Sequence, residues 1–360
     1  MVATFSLREI YMRKILLATT ALIAAGGISA ATADVNISGK LKQSYHSWSD
    51  DDVAESGTNN SSMGRGLQLW IKSSSQLDNG MTVGGNIRLR HGNSPDDRNY
   101  ITVGGDFGSF TYGTTWAPIY SQSVGINWVD DINITEHSAD SDGGSGTADD
   151  GATRGRVMTS SYNSTSGKGQ KVIYATPSIS GFKAMVSYSD AGDTSKGDHT
   201  GYSASYTSGP LKVMYANEKA DHADAASSTA DNDRTQYGVQ YSGDFGRVWA
   251  LAQSRSTTTN AGSETSNQSG SQVGVAYGLA DNMTGVLYYT TAEETASASA
   301  NNNDEYTATA LGVNYAVGGG LNLAVSHTMF DYTDATNASA TAGQGSNEGS
   351  STKLMMTLTF

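Results

Sequence analysis

The sequence predicts an all-β fold, a sixteen-stranded antiparallel transmembrane β-barrel, on three observations. The closing stretch Lys353 to Phe360 puts Leu354, Met356, Leu358 and Phe360 on one parity and Met355, Thr357 and Thr359 on the other. An alternating strand that ends in a terminal aromatic is how outer-membrane barrels finish. Segments of the same period-two character recur along the chain, joined alternately by tight turns and long polar connections. Within them the basic residues fall opposite the apolar ones.

Read in order, the strands are expected at 35–46, 64–75, 81–91, 99–106, 108–115, 170–176, 181–189, 200–207, 210–217, 235–242, 247–255, 270–279, 283–291, 305–317, 321–330 and 351–360. That makes sixteen, an even number, as single-chain bacterial barrels have. The connections at 76–80, 177–180, 208–209, 243–246, 280–282 and 318–320 are tight, and long polar stretches lie between them. A soluble sandwich has no reason to sort its connections by length, whereas a membrane barrel has short periplasmic turns and longer outside loops.

Before the first strand, Arg13 and Lys14 precede an apolar run from Ile15 to Ile23 and small residues up to Ala31-Thr32-Ala33. This is the form of a cleaved export signal, which makes 1–33 an N-terminal extension plus signal peptide and 34–360 the barrel. Residues 1–11 precede Met12, the natural-looking start. Beyond Ala33 no apolar run approaches the roughly 20 residues of a membrane helix, so a membrane-resident mature chain crosses as strands. Gly is 42 of 360 residues, Tyr 19 and Pro 4, which favours strands and turns. With no cysteine, stability comes from the sheet and not from disulfides. The formal charge is −13; without Arg8, Arg13, Lys14 and Glu9 it is 19 bases against 34 acids, or −15. So acidic a chain speaks against nucleic acid as a partner.

Sidedness is the strongest reading. In the third strand Met81, Val83, Ile87 and Leu89 oppose Thr82, Asn86, Arg88 and Arg90. In the first, Val35, Ile37, Leu41 and Tyr45 oppose Lys40 and Lys42; in the second, Leu67, Leu69 and Ile71 oppose Gln68 and Lys72. Lys171, Lys183, Lys212 and Lys353 also fall opposite their apolar sets. A one-residue slip would put these bases in hydrocarbon at about 2 to 4 kcal/mol each, on the order of 10 to 20 kcal/mol for five. Arg65, Arg247 and Arg255 read on the apolar parity at strand ends, and His327 reads as an exception. Tyr188, Tyr206, Tyr215, Tyr237, Tyr241, Tyr289 and Tyr315 fit an interfacial girdle. Sixteen strands with a polar inner face enclose water, because a cylinder of that size is too wide for side chains to fill.

One connection, about 115–169, is far longer than the others and carries Asp130, Asp131, Glu136, Asp140, Asp142, Asp149 and Asp150. Together with Tyr100-Ile-Thr-Val-Gly-Gly-Asp-Phe-Gly-Ser-Phe-Thr-Tyr-Gly113, Tyr174-Ala-Thr-Pro-Ser-Ile-Ser-Gly-Phe182, the leader and Phe360, it makes the chain resemble the Gram-negative general porins. That resemblance implies a homotrimer in the outer membrane, among lipid and lipopolysaccharide, each barrel carrying an inward-folded third extracellular loop. It also implies that the barrel-assembly machinery reads the last strand, with Phe360 as assembly signal. Carried over, the basic pore wall is Lys40, Lys42, Arg88 and Arg90, and the facing loop acids are Asp130, Asp131, Glu136, Asp140 and Asp142. The chain departs from the family at Thr114, where many members carry an Arg.

Opposite charges across a narrow wet gap make a transverse field that orients polar solutes and penalises apolar ones. The resulting expectation is a passive channel for ions and small hydrophilic solutes, mildly cation-selective given the charge of −15. Two alternatives stand beside it: a solute-specific channel, and a structural or adhesive barrel. A solute track needs aromatics on the inner parity, and the sequence offers few, Trp70 and Tyr100. No enzyme, cofactor or metal is expected. Asp106-Phe107-Gly108 and Asp244-Phe245-Gly246 spell a kinase tripeptide without its companion motifs and read as hairpin turns. Asp140-Ser-Asp142-Gly-Gly and Ser49-Asp-Asp-Asp52 lack the full calcium-loop pattern. The six histidines have no ligand spacing, and no G-x-S-x-G elbow occurs.

Overall fold

The structure is a computed structural model describing residues 34–50, 59–90, 98–125, 169–190, 198–221, 231–258, 264–295, 302–333 and 347–360. Residues 1–33, where the export signal is expected, and most of the long connection lie outside the described residues. Sixteen strands form one closed antiparallel barrel, each paired with its neighbours in sequence and β16 paired back onto β1. They are β1 (Asp34–Asp50), β2 (Asn59–Gln76), β3 (Thr82–Arg90), β4 (Arg98–Gly105), β5 (Gly108–Thr114), β6 (Gln170–Ala175), β7 (Phe182–Ser189) and β8 (Asp198–Ser208), followed by β9 (Leu211–Asp221), β10 (Asp231–Gly243), β11 (Gly246–Thr258), β12 (Glu264–Ala280), β13 (Met283–Thr295), β14 (Asn302–Gly318), β15 (Leu321–Thr333) and β16 (Asn347–Thr359). One short helix, α1 (Pro118–Gln122), follows β5.

All sixteen expected strands are present, and most run further than expected toward the long connections. β2 begins at Asn59 rather than 64, β9 reaches Asp221 rather than 217, and β12 begins at Glu264 rather than 270. Apolar alternation marks only the stretch that meets hydrocarbon, while backbone pairing continues into the headgroup region where both faces are polar. β5 and β6 are the shortest strands, at 7 and 6 residues against 17 and 18 for β1 and β2. The wall is therefore low where the long connection leaves it.

Both kinase-like tripeptides lie in the tight turns. Gly108 and Gly246 have φ of 104° and 126°. A Cβ at either position would collide with a backbone oxygen of the next strand, that of Ala175 or Ala276. Glycine meets both demands, so the motif is turn chemistry.

The outer face is apolar and exposed, from Val35 and Ile37 to Leu354 and Phe360, and it carries every tyrosine of the expected girdle. The inner face is polar and buried, from Gln68 and Arg88 to Thr328 and Thr357. His327 does lie on the outer parity, where its Nδ1 shares a 2.8 Å hydrogen bond with Thr352 Oγ1. A polar ring on that face is tolerated because its neighbour satisfies it.

Candidate functional site

The candidate site is the inner wall and the described start of the long connection. Strand alternation places thirteen bases on the inner parity. Lys40, Lys42, Lys72, Arg88, Arg90, Arg98 and Lys353 belong to β1–β4 and β16; Lys171, Lys183, Lys212, Arg234, Arg247 and Arg255 belong to β6–β11. The carboxylates of that parity are Glu218 and Glu294, with Asp34 at the short-turn end of β1, and the register adds Asp50 of β1 and Asp304 of β14, the latter across from Glu294.

The four expected wall bases are brought together. Lys40 lies across from Gln68, and Gln68 across from Arg90. In the next row Trp70 faces Arg88, and Arg88 faces Arg98. Lys42 sits one inner position along from Lys40, between Gly66 and Thr357. Arg88 is buried, at 1% exposure, while Lys40, Lys42 and Arg90 are half-buried. The sequence reading missed Arg98, which opens β4 one residue before the expected start, and left Lys353 out of the cluster although its parity was legible. The facing acids Asp130, Asp131, Glu136, Asp140 and Asp142 lie outside the described residues.

The start of the long connection, residues 115–125, is held against inner-face residues of β8–β12. At its neck Lys171 Nζ donates to the carbonyls of Thr115, at 2.7 Å, and Gly169, at 2.9 Å, so one ammonium ties both ends together. Trp116 stacks on Tyr120 with centroids 4.5 Å apart, and the Arg98 guanidinium lies 5.4 Å from the Trp116 ring. Pro118 starts α1, where its missing N–H costs nothing. Ile119 and Val124 then enter an apolar patch with Met214, Ala216 and Leu251. Ser205 Oγ donates to Gln122 Oε1 at 2.9 Å, and Lys212 Nζ donates to the Ser123 carbonyl at 3.3 Å. An inner-face glycine leaves the room: a Cβ on Gly238 would overlap Val124. The Trp249 indole N–H donates to Gln272 Oε1 at 2.9 Å, and both side chains lie against Gly125.

This socket explains a correction. Arg247 and Arg255 belong to the inner parity and not to the apolar one, because β11 turns Val248, Ala250 and Ala252 outward and Trp249 and Leu251 inward. The largest apolar residues of that strand face the bore to pack residues 115–125 and the patch around Ala276, Val286, Tyr288 and Ala310. Hydrophobicity alone picks the wrong face here. Of the bases read as lipid-side, Arg65 does remain on the outer parity. The scarcity of inner aromatics is corrected too: Trp249, Tyr288, Tyr306 and Phe330 share the inner parity and are buried there.

A charged row crosses the wall at β9–β13. Glu218 faces Arg234, Arg234 faces Arg255, Arg255 faces Gln268, and Gln268 faces Glu294. Gln268 Nε2 donates to Glu294 Oε2 at 3.0 Å, and Arg255 donates to Asn232 Oδ1 from Nε, at 3.2 Å, and from Nη2, at 2.9 Å.

Known structures share this architecture at low identity. The anion-selective porin from Comamonas acidovorans superposes with a TM-score of 0.69 at 15% identity, covering 91% of this chain and 100% of that one. OmpT, an outer membrane protein of Vibrio cholerae, gives 0.66 at 13% identity, over 92% and 99%. The outer membrane channel DcaP of Acinetobacter baumannii gives 0.61 at 15% identity, over 91% and 97%. No curated protein sequence matches the chain. The family model described as Gram-negative porin matches residues 18–335, nearly the whole length, and with a closed sixteen-stranded barrel beneath that match the chain belongs to the Gram-negative porin family.

Proposed function

We propose that the protein forms a water-filled channel in the outer membrane for passive diffusion of ions and small hydrophilic solutes, without catalysis. The observation that carries this reading is sidedness: apolar residues coat the outside of a closed sixteen-stranded cylinder, and charged and amide side chains line its inside. A barrel of that width is not filled by its own wall side chains. Its narrowest part, in this reading, lies between Lys40, Lys42, Arg88 and Arg90 and the loop acids Asp130, Asp131, Glu136, Asp140 and Asp142, with the loop turned into the bore. The anchored course of residues 115–125 supports that direction. The mild cation preference expected from the charge of −15 and from these acids weighs charges wherever they lie in the chain.

The working unit is a homotrimer in lipid and lipopolysaccharide, exported through residues 1–33 and inserted by the barrel-assembly machinery through the strand ending at Phe360. One OmpT structure of Vibrio cholerae is described as a trimer form, which supports the trimer. A second reading, a solute-specific channel, rests on Trp70 and Tyr100, inner-parity aromatics that are half-buried and not packed away. Planar-bilayer recording of the refolded chain separates the two. Large ohmic steps indifferent to added sugars support diffusion; steps blocked by one solute support a track; silence rejects both. In the Arg88→Ala, Arg90→Ala double variant the zero-current potential moves toward cations, and an unmoved potential removes these bases from the constriction.

A further inference from the structure

The chain is acidic as a whole, yet its charges are sorted across the barrel wall. Among described strand residues outside the inner parity, acids dominate: Asp198, Asp221, Asp231, Asp233, Glu293, Glu305, Asp331 and Glu348 all lie near the long connections. The bases of that outer parity are Arg65 and Lys219, and Lys219 is paired with Asp233 at 3.0 Å. The inner parity is the reverse, thirteen bases against five acids by strand register, Glu218, Glu294, Asp34, Asp50 and Asp304.

We propose that the channel selects small anions, inorganic phosphate and short carboxylates included, and that the wall bases set this preference. The inference rests on the channel reading above and reverses the sign expected from total charge. Ion selectivity answers to charge within about one Debye length of the permeating ion, roughly 8 Å in physiological salt. Rim acids on the far side of the sheet are screened, whereas charge inside a low-dielectric cylinder is focused along its axis. The undescribed stretch 126–168 holds seven acids and three bases. Even if all ten are counted inside the bore, bases outnumber acids there. The bases also stand on two walls, Arg88, Arg90 and Arg98 on β3–β4 and Arg234 and Arg255 on β10–β11, so an anion leaving one wall meets cations on the other. Guanidinium forks donate two parallel hydrogen bonds to a pair of anionic oxygens, which suits phosphate and carboxylate.

The test is the zero-current potential of the refolded mature chain in a planar bilayer under a KCl gradient, repeated with potassium phosphate. The expected result is a chloride-to-potassium permeability ratio above one that collapses toward one in molar salt, with measurable phosphate current. Arg90→Glu combined with Arg255→Glu lowers the ratio about threefold or more. Lys219→Glu on the outer face leaves it unchanged, and the milder Arg90→Gln, Arg255→Gln pair serves if the glutamates hinder refolding. A conducting protein with a ratio at or below one overturns the inference and leaves the channel reading intact; absence of conductance overturns both.

Discussion

The ring of Phe360 lies over Gly39, the residue its own backbone pairs with. Gly39 N–H donates to the Phe360 carbonyl at 2.7 Å, and Phe360 N–H donates to the Gly39 carbonyl at 3.0 Å. A Cβ at position 39 would fall inside the ring. These are the last backbone bonds closing β16 onto β1, and an aromatic covering a strand glycine buries backbone that would otherwise lie bare. Gly39→Val is therefore expected to displace the ring and cost about 1 to 3 kcal/mol by overpacking. The folded fraction on heat-modifiable gel electrophoresis after refolding checks this; a variant that folds like the parent removes the ring contact from barrel closure.

The anchor of the long connection can be locked without changing the pore. Val124 occupies the space that a Cβ on Gly238 would need, so cysteines at these two positions fall within bridging range. In this cysteine-free chain the Val124→Cys, Gly238→Cys pair is expected to form a disulfide on mild oxidation. Single-channel conductance should then be the same before and after reduction. Failure to bridge, or a conductance that changes with the bridge, shows that residues 115–125 leave the wall in the open channel.

Lys171 holds the neck of the same connection through two carbonyls and is 2% exposed. Lys171→Met keeps the stem and removes both charge-assisted bonds, leaving the half-buried Thr115 carbonyl short of that donor at about 1 to 3 kcal/mol at most, while the Gly169 carbonyl keeps the Thr115 N–H. The expected outcome is noisier current with an undiminished mean conductance. Quiet traces from a folded variant mean that the neck holds without the ammonium.

Sidedness can be tested within one strand. Leu354 faces outward at 50% exposure, while Lys353 next to it faces inward. Leu354→Lys puts a charge against lipid and is expected to cost about 2 to 4 kcal/mol. Lys353→Leu on the inner wall should cost far less. Denaturant titration of both in lipid vesicles decides it, and equal losses contradict the assignment of faces.

Legibility differed between the shell and the bore. The strand count, alternating connections, girdle tyrosines and the inner placement of Lys40, Lys42, Arg88 and Arg90 were all readable, because lipid imposes a strict period-two rule on whatever touches it. β11 broke the reading for a physical reason. Its outer side needs only small apolar residues, Ala250 and Ala252, while its inner side carries Trp249 and Leu251 for the socket. A rule that sends the greasiest residues outward then reverses Arg247 and Arg255.

By itself the sequence determined the architecture and which face meets lipid, since both follow from local alternation and from the cost of charge in hydrocarbon. Tertiary structure alone decided which bases stand across from one another, how Gly238 receives Val124, and that Glu218, Arg234, Arg255, Gln268 and Glu294 form one row. Those relations depend on register between strands distant in the chain, and register is set by closure of the whole cylinder, which no single segment encodes.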